Sequence, residues 1–550
     1  MTCFTEEAFL PALDITWSRC LLTELLQTCS STVCFAPGNR SQPLIRALLE
    51  MRQEKPLRLL SHWDERGLAF AAMGVAHAER KPVILVTTSG TAVANLLPGL
   101  VEARIQRLPI IVLTADRPPE AHFRGSHQTW PQPPLLAGAV VRCEELPCPT
   151  SSMSPETLRE KVQSLLCDAA EGPVQINCPF KEPFHGEPLE EAQAWLSPPS
   201  PLGLNQNKSP ILRQTEEALL ERLRKAERPL VTLGAQWNAV DSSLIDECHR
   251  HGAVVIPDLL SQWRLRSHPA LMRDTDPMYR RLPAEMAPDL WIHLGGPLLS
   301  KQLLLWLQRH APPTIVVQAG VQHWDPAFVN PQRFHCDPAV LRVTSGEGSV
   351  EEMAPTRWQR AWQELARQAP SLEGPPSDEA LAACAMLDQL PSDGLLFIGN
   401  SMPVRHLARW AAPREDAPRI WANRGASGID GNIATALGWA WSSSSPLGIC
   451  VGDLTAIHDL NSLSMIRYAQ GPVLLQILNN HGGDIFRRVA APDLPAAWLE
   501  EGWITPHAYD FEHAAALFGW GYGQEPPQTL QAGQGYLWEP TLSASHIARI

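Results

Sequence analysis

Along most of this chain, apolar residues come in short unbroken runs rather than in alternation with polar ones. A strand with one wet face alternates, whereas a strand buried on both faces reads as a continuous apolar run, the habit of parallel sheets. In the first third such runs are "STVCFAPG" (31–38), "KPVILVTTSG" (81–90), "LPIIVLTAD" (108–116) and "GPVQINCPF" (172–180). Between them "RGLAFAAMGVAHAER" and "TAVANLLPGLVEARIQR" carry helical spacing. The middle third repeats the pattern with "RPLVTLGA", "GAVVIPDLL", "DLWIHLGG" and "PTIVVQAG", and the last third with "GLLFIGNS", "RIWANRGASG", "LGICVGD" and "GPVLLQILNN". The fold class expected is therefore α/β, with three doubly wound parallel-sheet domains.

Two irregular stretches divide these segments. "SPPSPLGLNQNKSP" (197–210) reads as a linker, as does the zone ending in "SLEGPPSDE". The expected domains are 1–190, 210–345 and 379–550, joined by linkers 191–209 and 346–378. A length of 550 residues is too great for one core, which agrees with three. The net charge of −13 argues against a nucleic-acid or anionic-membrane binder, so any anionic ligand needs a locally basic pocket. No apolar run reaches the roughly 18 residues of a membrane helix. The opening "MTCFTEEAFLPALDITW" has no cationic leader, and the twelve cysteines are scattered without a CxxC pair; together these suggest a reduced, cytoplasmic protein. "CHRHG" at Cys248 looks like a helix end, and the single glycine of "LGAQWNAV" falls short of a dinucleotide fingerprint. The 51 prolines and 19 tryptophans have no functional reading here.

In the last third every strand runs straight into Gly, Ser, Asn or Asp. In a parallel sheet those ends share the edge where α/β folds bind ligands. "LGICVGDLTAIHDLNSL" ends its strand at Gly452-Asp453, and "GPVLLQILNNHGG" ends the next at Asn479-Asn480, 27 residues on from Asp453 to Asn480. One right-handed crossover sets these ends side by side. Asp453, Asn480 and the Gly482 carbonyl then offer three oxygens to a magnesium ion, leaving room for diphosphate oxygens and water. A helix expected from Thr455 aims its N-terminus at the same place.

This pairing resembles the thiamine diphosphate enzymes, whose hallmark is GD, about 25 to 30 residues, then NN; here "GDL" stands where many have GDG. "APGNRSQP", "HWDERGLAF", "TSGTAVANLLPGLVEA", "LTADRPPE", "INCPFKEP", "IGNSMPVR", "NRGASGIDG", "GDLTAIHDLN" and "NNHGGDIF", spanning 36 to 486, resemble one branch closely: the 2-succinyl-5-enolpyruvyl-6-hydroxy-3-cyclohexene-1-carboxylate (SEPHCHC) synthases of menaquinone biosynthesis.

The resemblance implies thiamine diphosphate with Mg2+ or Mn2+, 2-oxoglutarate as donor, isochorismate as acceptor, and at least a homodimer with sites at the subunit interface, a tetramer being the larger alternative. It implies that Glu65 hydrogen-bonds the cofactor's aminopyrimidine ring, so that the ring takes a proton from the thiazolium carbon. A stray "DER" before a helix is otherwise a capping acid, Asp64 or Glu65, paired with Arg66. By the same resemblance Gln128 lies near the reacting centre; Ser401, Ile429, Ile485 and Phe486 line the cofactor; and Asn39, Arg40, Arg117, Lys301, Gln302, Ser401, Arg405 and Arg424 contact substrate. Arginine suits planar carboxylates, of which each substrate has two, although an arginine taken singly is more often a surface ion-pair partner.

Asn39 and Gln302 depart from the pattern, Gln302 removing a cation at the acceptor, and the tail beyond about Gly523 looks shortened. Two alternatives stay open: another 2-oxoacid decarboxylase or acetolactate-synthase-like carboligase, and a non-catalytic cofactor-binding relative.

Overall fold

The protein is described by a computed structural model at residues 11–150, 154–182, 184, 209–273, 276–320, 324–342, 354–368 and 374–542. Three sheets appear, and the strand pairs that follow are all parallel. The first holds β1 (Thr32–Phe35), β2 (Arg58–Ser61), β3 (Val83–Thr87), β4 (Ile110–Asp116), β5 (Arg142–Glu145) and β6 (Val174–Pro179), in the order β2-β1-β3-β4-β6-β5. The second holds β7 (Pro229–Leu233), β8 (Val254–Pro257), β9 (Leu290–Leu294), β10 (Thr314–Gln318) and β11 (Gln332–His335), in the order β11-β10-β9-β7-β8. The third is built from β12 (Leu395–Ile398), β13 (Arg419–Trp421), β14 (Leu447–Gly452), β15 (Val473–Leu478), β16 (Gly521–Gly523) and β17 (Gly535–Trp538); β12 pairs with β13, and β17 with both β15 and β16. The α/β reading with three parallel sheets is correct.

The unbroken apolar runs are explained by burial on both faces. In the second sheet Leu230, Val254, Ile256 and Trp291 enter one core, while their chain neighbours Val231, Val255 and Ile292 enter another. The chain forms two compact units: Met1–Gly203 with Asn423–Ile477 and His507–Glu539, and Leu204–Ala422 with Leu478–Pro506 and Pro540–Ile550.

Two local readings change. The helical stretch 91–107 is two helices, Thr91–Asn95 and Leu97–Gln106, because Pro98 has no N–H to continue the first and serves instead in the first turn of the second. The zone 346–378, read as a linker, contains the helix Arg357–Gln368, whose Trp358 and Trp362 are buried against the second sheet with Ala361 and Leu365 beside them. That i, i+3, i+4, i+7 stripe is set among charged residues, which is why it passed for irregular chain. The stretch 197–208 lies outside the described residues.

In the first unit the helix Glu65–Glu79 lies against Asn432–Ser442 with backbones nearly touching. A Cβ on Gly74 would stand 1.9 Å from the Thr435 carbonyl oxygen, and one on Gly438 2.0 Å from that of Ala71. Glycine at both positions is what permits this crossing, and it fixes the helix that begins with Glu65.

Candidate active site

Glu65 is the first residue of its helix, and the cap is its neighbour: the Asp64 carboxylate accepts from the N–H groups of Arg66 (3.0 Å) and Gly67 (3.3 Å). Arg66 in turn reaches the His458 carbonyl at 2.7 Å. The capping role is thus filled by Asp64, and half-buried Glu65 accepts one long bond, from Asn95 Nδ2 at 3.4 Å. Its carboxylate is available to a ligand without unmaking the helix start.

Ser89 draws two expected residues together. Arg117 Nη1 donates to Ser89 Oγ (2.6 Å) and to the Gln128 carbonyl (2.8 Å), and Gln128 Nε2 donates to the Ser89 carbonyl (2.8 Å). Gln128 holds φ +57 in an exposed loop, a cost that a non-glycine residue bears only when its surroundings over-determine it. Arg40 is otherwise engaged. Buried, it donates to the Phe180 carbonyl (3.1 Å) and Glu182 (2.5 Å), and burial pushes its pKa below the usual arginine value. Asn39 beside it is exposed.

The "NRGASGIDG" loop is anchored on the first sheet's own layer. Glu102, 2 % exposed, accepts from the amides of Gly425 (2.6 Å), Ala426 (2.6 Å) and Ser427 (3.1 Å). Arg424 is half-buried and Ile429 is 38 % exposed on this loop. Three charge-assisted bonds lost at once make Glu102→Ala destabilising by about 2–4 kcal/mol, measurable as a lower denaturation midpoint with unchanged slope.

Asp453 opens the helix Asp453–His458, two residues earlier than expected, and is 2 % exposed. Its Oδ1 accepts from the Leu454 N–H at 2.6 Å, and its Oδ2 lies 3.2 Å from His507 Nε2. A Cβ on Gly452 would meet nothing within 4 Å, so space is open before this helix. In the second unit Asn480 Oδ1 is buried with no hydrogen-bond partner. A buried oxygen left unpaired is costly unless a ligand satisfies it, and an amide oxygen with a carboxylate is the donor set a hard divalent cation takes. Asp453 and Asn480, each taken by itself, are of the kind that holds a magnesium ion. Gly482 (φ +150) is required by packing as well: a Cβ there would stand 2.6 Å from the Ile504 carbonyl oxygen.

The second unit gathers other expected residues. Ser401 stands at φ +70 before the helix Met402–Trp410, and its carbonyl accepts from Arg405 Nη1 at 2.5 Å. Arg405 and Ile485 line a cavity of about 510 Å³, with Ser300 and Leu303 flanking Lys301 and Gln302 at the start of the helix Lys301–His310. Lys301 and Gln302 themselves are not on its wall. Phe486 is half-buried, its ring under Gly483.

Residues 15–134 match the family described as thiamine pyrophosphate enzyme, N-terminal TPP binding domain. A relative from Rubrobacter xylanophilus, named 2-succinyl-5-enolpyruvyl-6-hydroxy-3-cyclohexene-1-carboxylate synthase, is 34 % identical over 534 residues, covering 93 % of this chain and 91 % of its own. Relatives of the same name from Aeromonas salmonicida (34 % over 547 residues, 96 % and 93 % covered) and Halorhodospira halophila (32 % over 521 residues, 93 % and 91 % covered) agree. The chain belongs to the SEPHCHC synthase family.

Within that family's frame, three features escaped the sequence reading. His507 sits 54 residues beyond Asp453 with no motif to join them, and Glu102 is one acid among many in a helix. The cavity arginines come from separate elements that only the fold collects.

Proposed function

We propose that this protein is a SEPHCHC synthase enzyme: it decarboxylates 2-oxoglutarate and joins the resulting four-carbon unit to isochorismate in conjugate fashion, releasing carbon dioxide, in menaquinone biosynthesis. The observation that carries the reading over other thiamine diphosphate enzymes is the arginine-walled cavity that includes Arg405 and Ile485. In a protein of net charge −13, such a pocket suits substrates with two carboxylates and not pyruvate. Thiamine diphosphate, when bound, supplies the nucleophilic carbon and the electron sink.

The chain's own groups do the rest. Glu65 accepts a hydrogen bond from the aminopyrimidine ring; Asp453, Asn480 and the Gly482 carbonyl hold Mg2+ or Mn2+; and Ser401, Ile429, Ile485 and Phe486 shape the cofactor's surroundings. Gln128, Arg117, Asn39, Arg405 and Arg424 contact the substrates; Arg40 joins them when its Glu182 ion pair opens, and Lys301 and Gln302 act from the helix start beside the cavity wall. Residues 1–190 form the pyrimidine-binding domain, 210–345 the central domain and 379–550 the diphosphate-binding domain. Trp63 (51 % exposed), Phe123 (90 %) and Trp130 (60 %) flank Glu65 and Gln128 in sequence and support a homodimer that covers them. Among the described residues no helix is long and apolar enough to cross a membrane, and the setting proposed is the cytoplasm.

Donor preference tests the reading. Carbon dioxide release with cofactor and magnesium is expected from 2-oxoglutarate at least about tenfold faster than from pyruvate, as one lost charged contact implies. Preference for pyruvate would point to an acetolactate-synthase-like enzyme.

A further inference from the structure

The cavity in the second unit has more cations on its wall than the family resemblance accounts for. Five arginines line it, against two aspartates. The aspartates are committed: Asp258 accepts from the amides of Leu260 (3.1 Å) and Leu299 (2.6 Å), and Asp276 accepts from Ser300 Oγ. Two arginines are committed as well, Arg264 to the Ala408 carbonyl at 2.7 Å, and Arg409 over the Trp410 ring, its guanidinium 4.7 Å from the centroid. Arg405 is held by Ser401. Arg280 and Arg488 are different: both are exposed, and neither side chain has an ion pair or hydrogen bond among the described residues.

A guanidinium on a cavity wall with no protein partner is a ready bidentate site for a carboxylate. Arg280 follows the helix Asp276–Tyr279, and Arg488 belongs to the helix Ile485–Val489, whose Ile485 and Val489 share the wall with it. Gln302, meanwhile, stands where a cation is expected for the acceptor, and it lies off the wall. We propose that Arg280 and Arg488 bind the carboxylates of the acceptor, a cyclic dicarboxylate, and supply from other elements the charge that Gln302 lacks. This rests on the proposed reaction and names the residues that set its acceptor specificity. A volume of about 510 Å³ accommodates such a molecule.

The test compares the full-length protein, with cofactor and magnesium, against Arg488→Gln and Arg280→Gln. Each variant is expected to raise the KM for isochorismate about ten- to a hundredfold, the worth of one charged hydrogen-bonded contact, and to raise it more than the KM for 2-oxoglutarate. Calorimetric titration with isochorismate alone, where no turnover occurs, should weaken by the same factor, and Arg488→Lys should recover part of it. Circular dichroism confirms that the variants are folded, which their exposed positions favour. If the wild type consumes isochorismate and both variants bind it equally well, the assignment is overturned while the reaction stands. If the wild type neither consumes nor binds isochorismate, the proposed reaction fails and the assignment falls with it.

Discussion

Glu65→Gln lowers turnover by about 10²–10⁴-fold, the range for removal of a proton-transfer group, while thiamine diphosphate still binds. The structure makes this substitution a clean one. Asp64 caps the helix, so the Glu65 side chain can lose its charge without unpairing the helix's first amides. The stability cost is limited to a helix-dipole contribution of no more than about 1 kcal/mol. Glutamine keeps the size and the carbonyl oxygen, so a loss of rate without a loss of fold or cofactor affinity isolates the carboxylate's chemistry. Steady-state rates beside a cofactor titration separate the two, and full turnover in the variant would remove Glu65 from the reaction.

Asp453→Asn is expected to weaken magnesium-dependent cofactor binding by about a hundredfold or more, in line with loss of a buried charge from a metal's ligand set. Asparagine keeps the oxygen that accepts from the Leu454 N–H, so the start of the helix Asp453–His458 survives. His507, whose Nε2 lies 3.2 Å from the carboxylate, loses an anionic neighbour. Titration of the cofactor with and without magnesium reads the effect. In the wild type a chelator should abolish tight binding, whereas in Asp453→Asn it should change little. Equal metal dependence in both proteins would place the metal elsewhere.

The parts of the fold legible in the sequence were those whose burial leaves a signature. β3, β4, β9, β10, β14 and β15 are buried on both faces and read as unbroken apolar runs. β2, β5, β11 and β16 end their sheets and are three or four residues long and mostly half-exposed. A short, half-exposed edge strand has little apolar surface to hide, so its sequence looks like loop, whereas β8, also at an edge, is fully buried and reads as an apolar run. β17 was missed for another reason: it is drawn into the sheet by pairing with β15, although "GYLW" stands alone in a tail rich in Gly, Pro and Gln.

Among the residues proposed for the site, local motifs marked Glu65, Asp453 and Asn480, since each sits at a strand end or helix start. "DER" alone leaves the cap open between Asp64 and Glu65, and backbone geometry is what assigns it to Asp64. Arg40 shows the opposite case: the motif marks it, yet its guanidinium is spent on Phe180 and Glu182. For it to meet a substrate, the Glu182 ion pair must open. Arg280 and Arg488 carry no motif, and their shared wall exists only once the chain has folded.

The most direct measurement follows isochorismate and carbon dioxide together in the purified protein with thiamine diphosphate, magnesium and 2-oxoglutarate. The account predicts that both change only in the complete mixture, with one carbon dioxide released for each isochorismate consumed. Carbon dioxide released while isochorismate stays constant would contradict it, and would leave a thiamine diphosphate decarboxylase in place of a synthase.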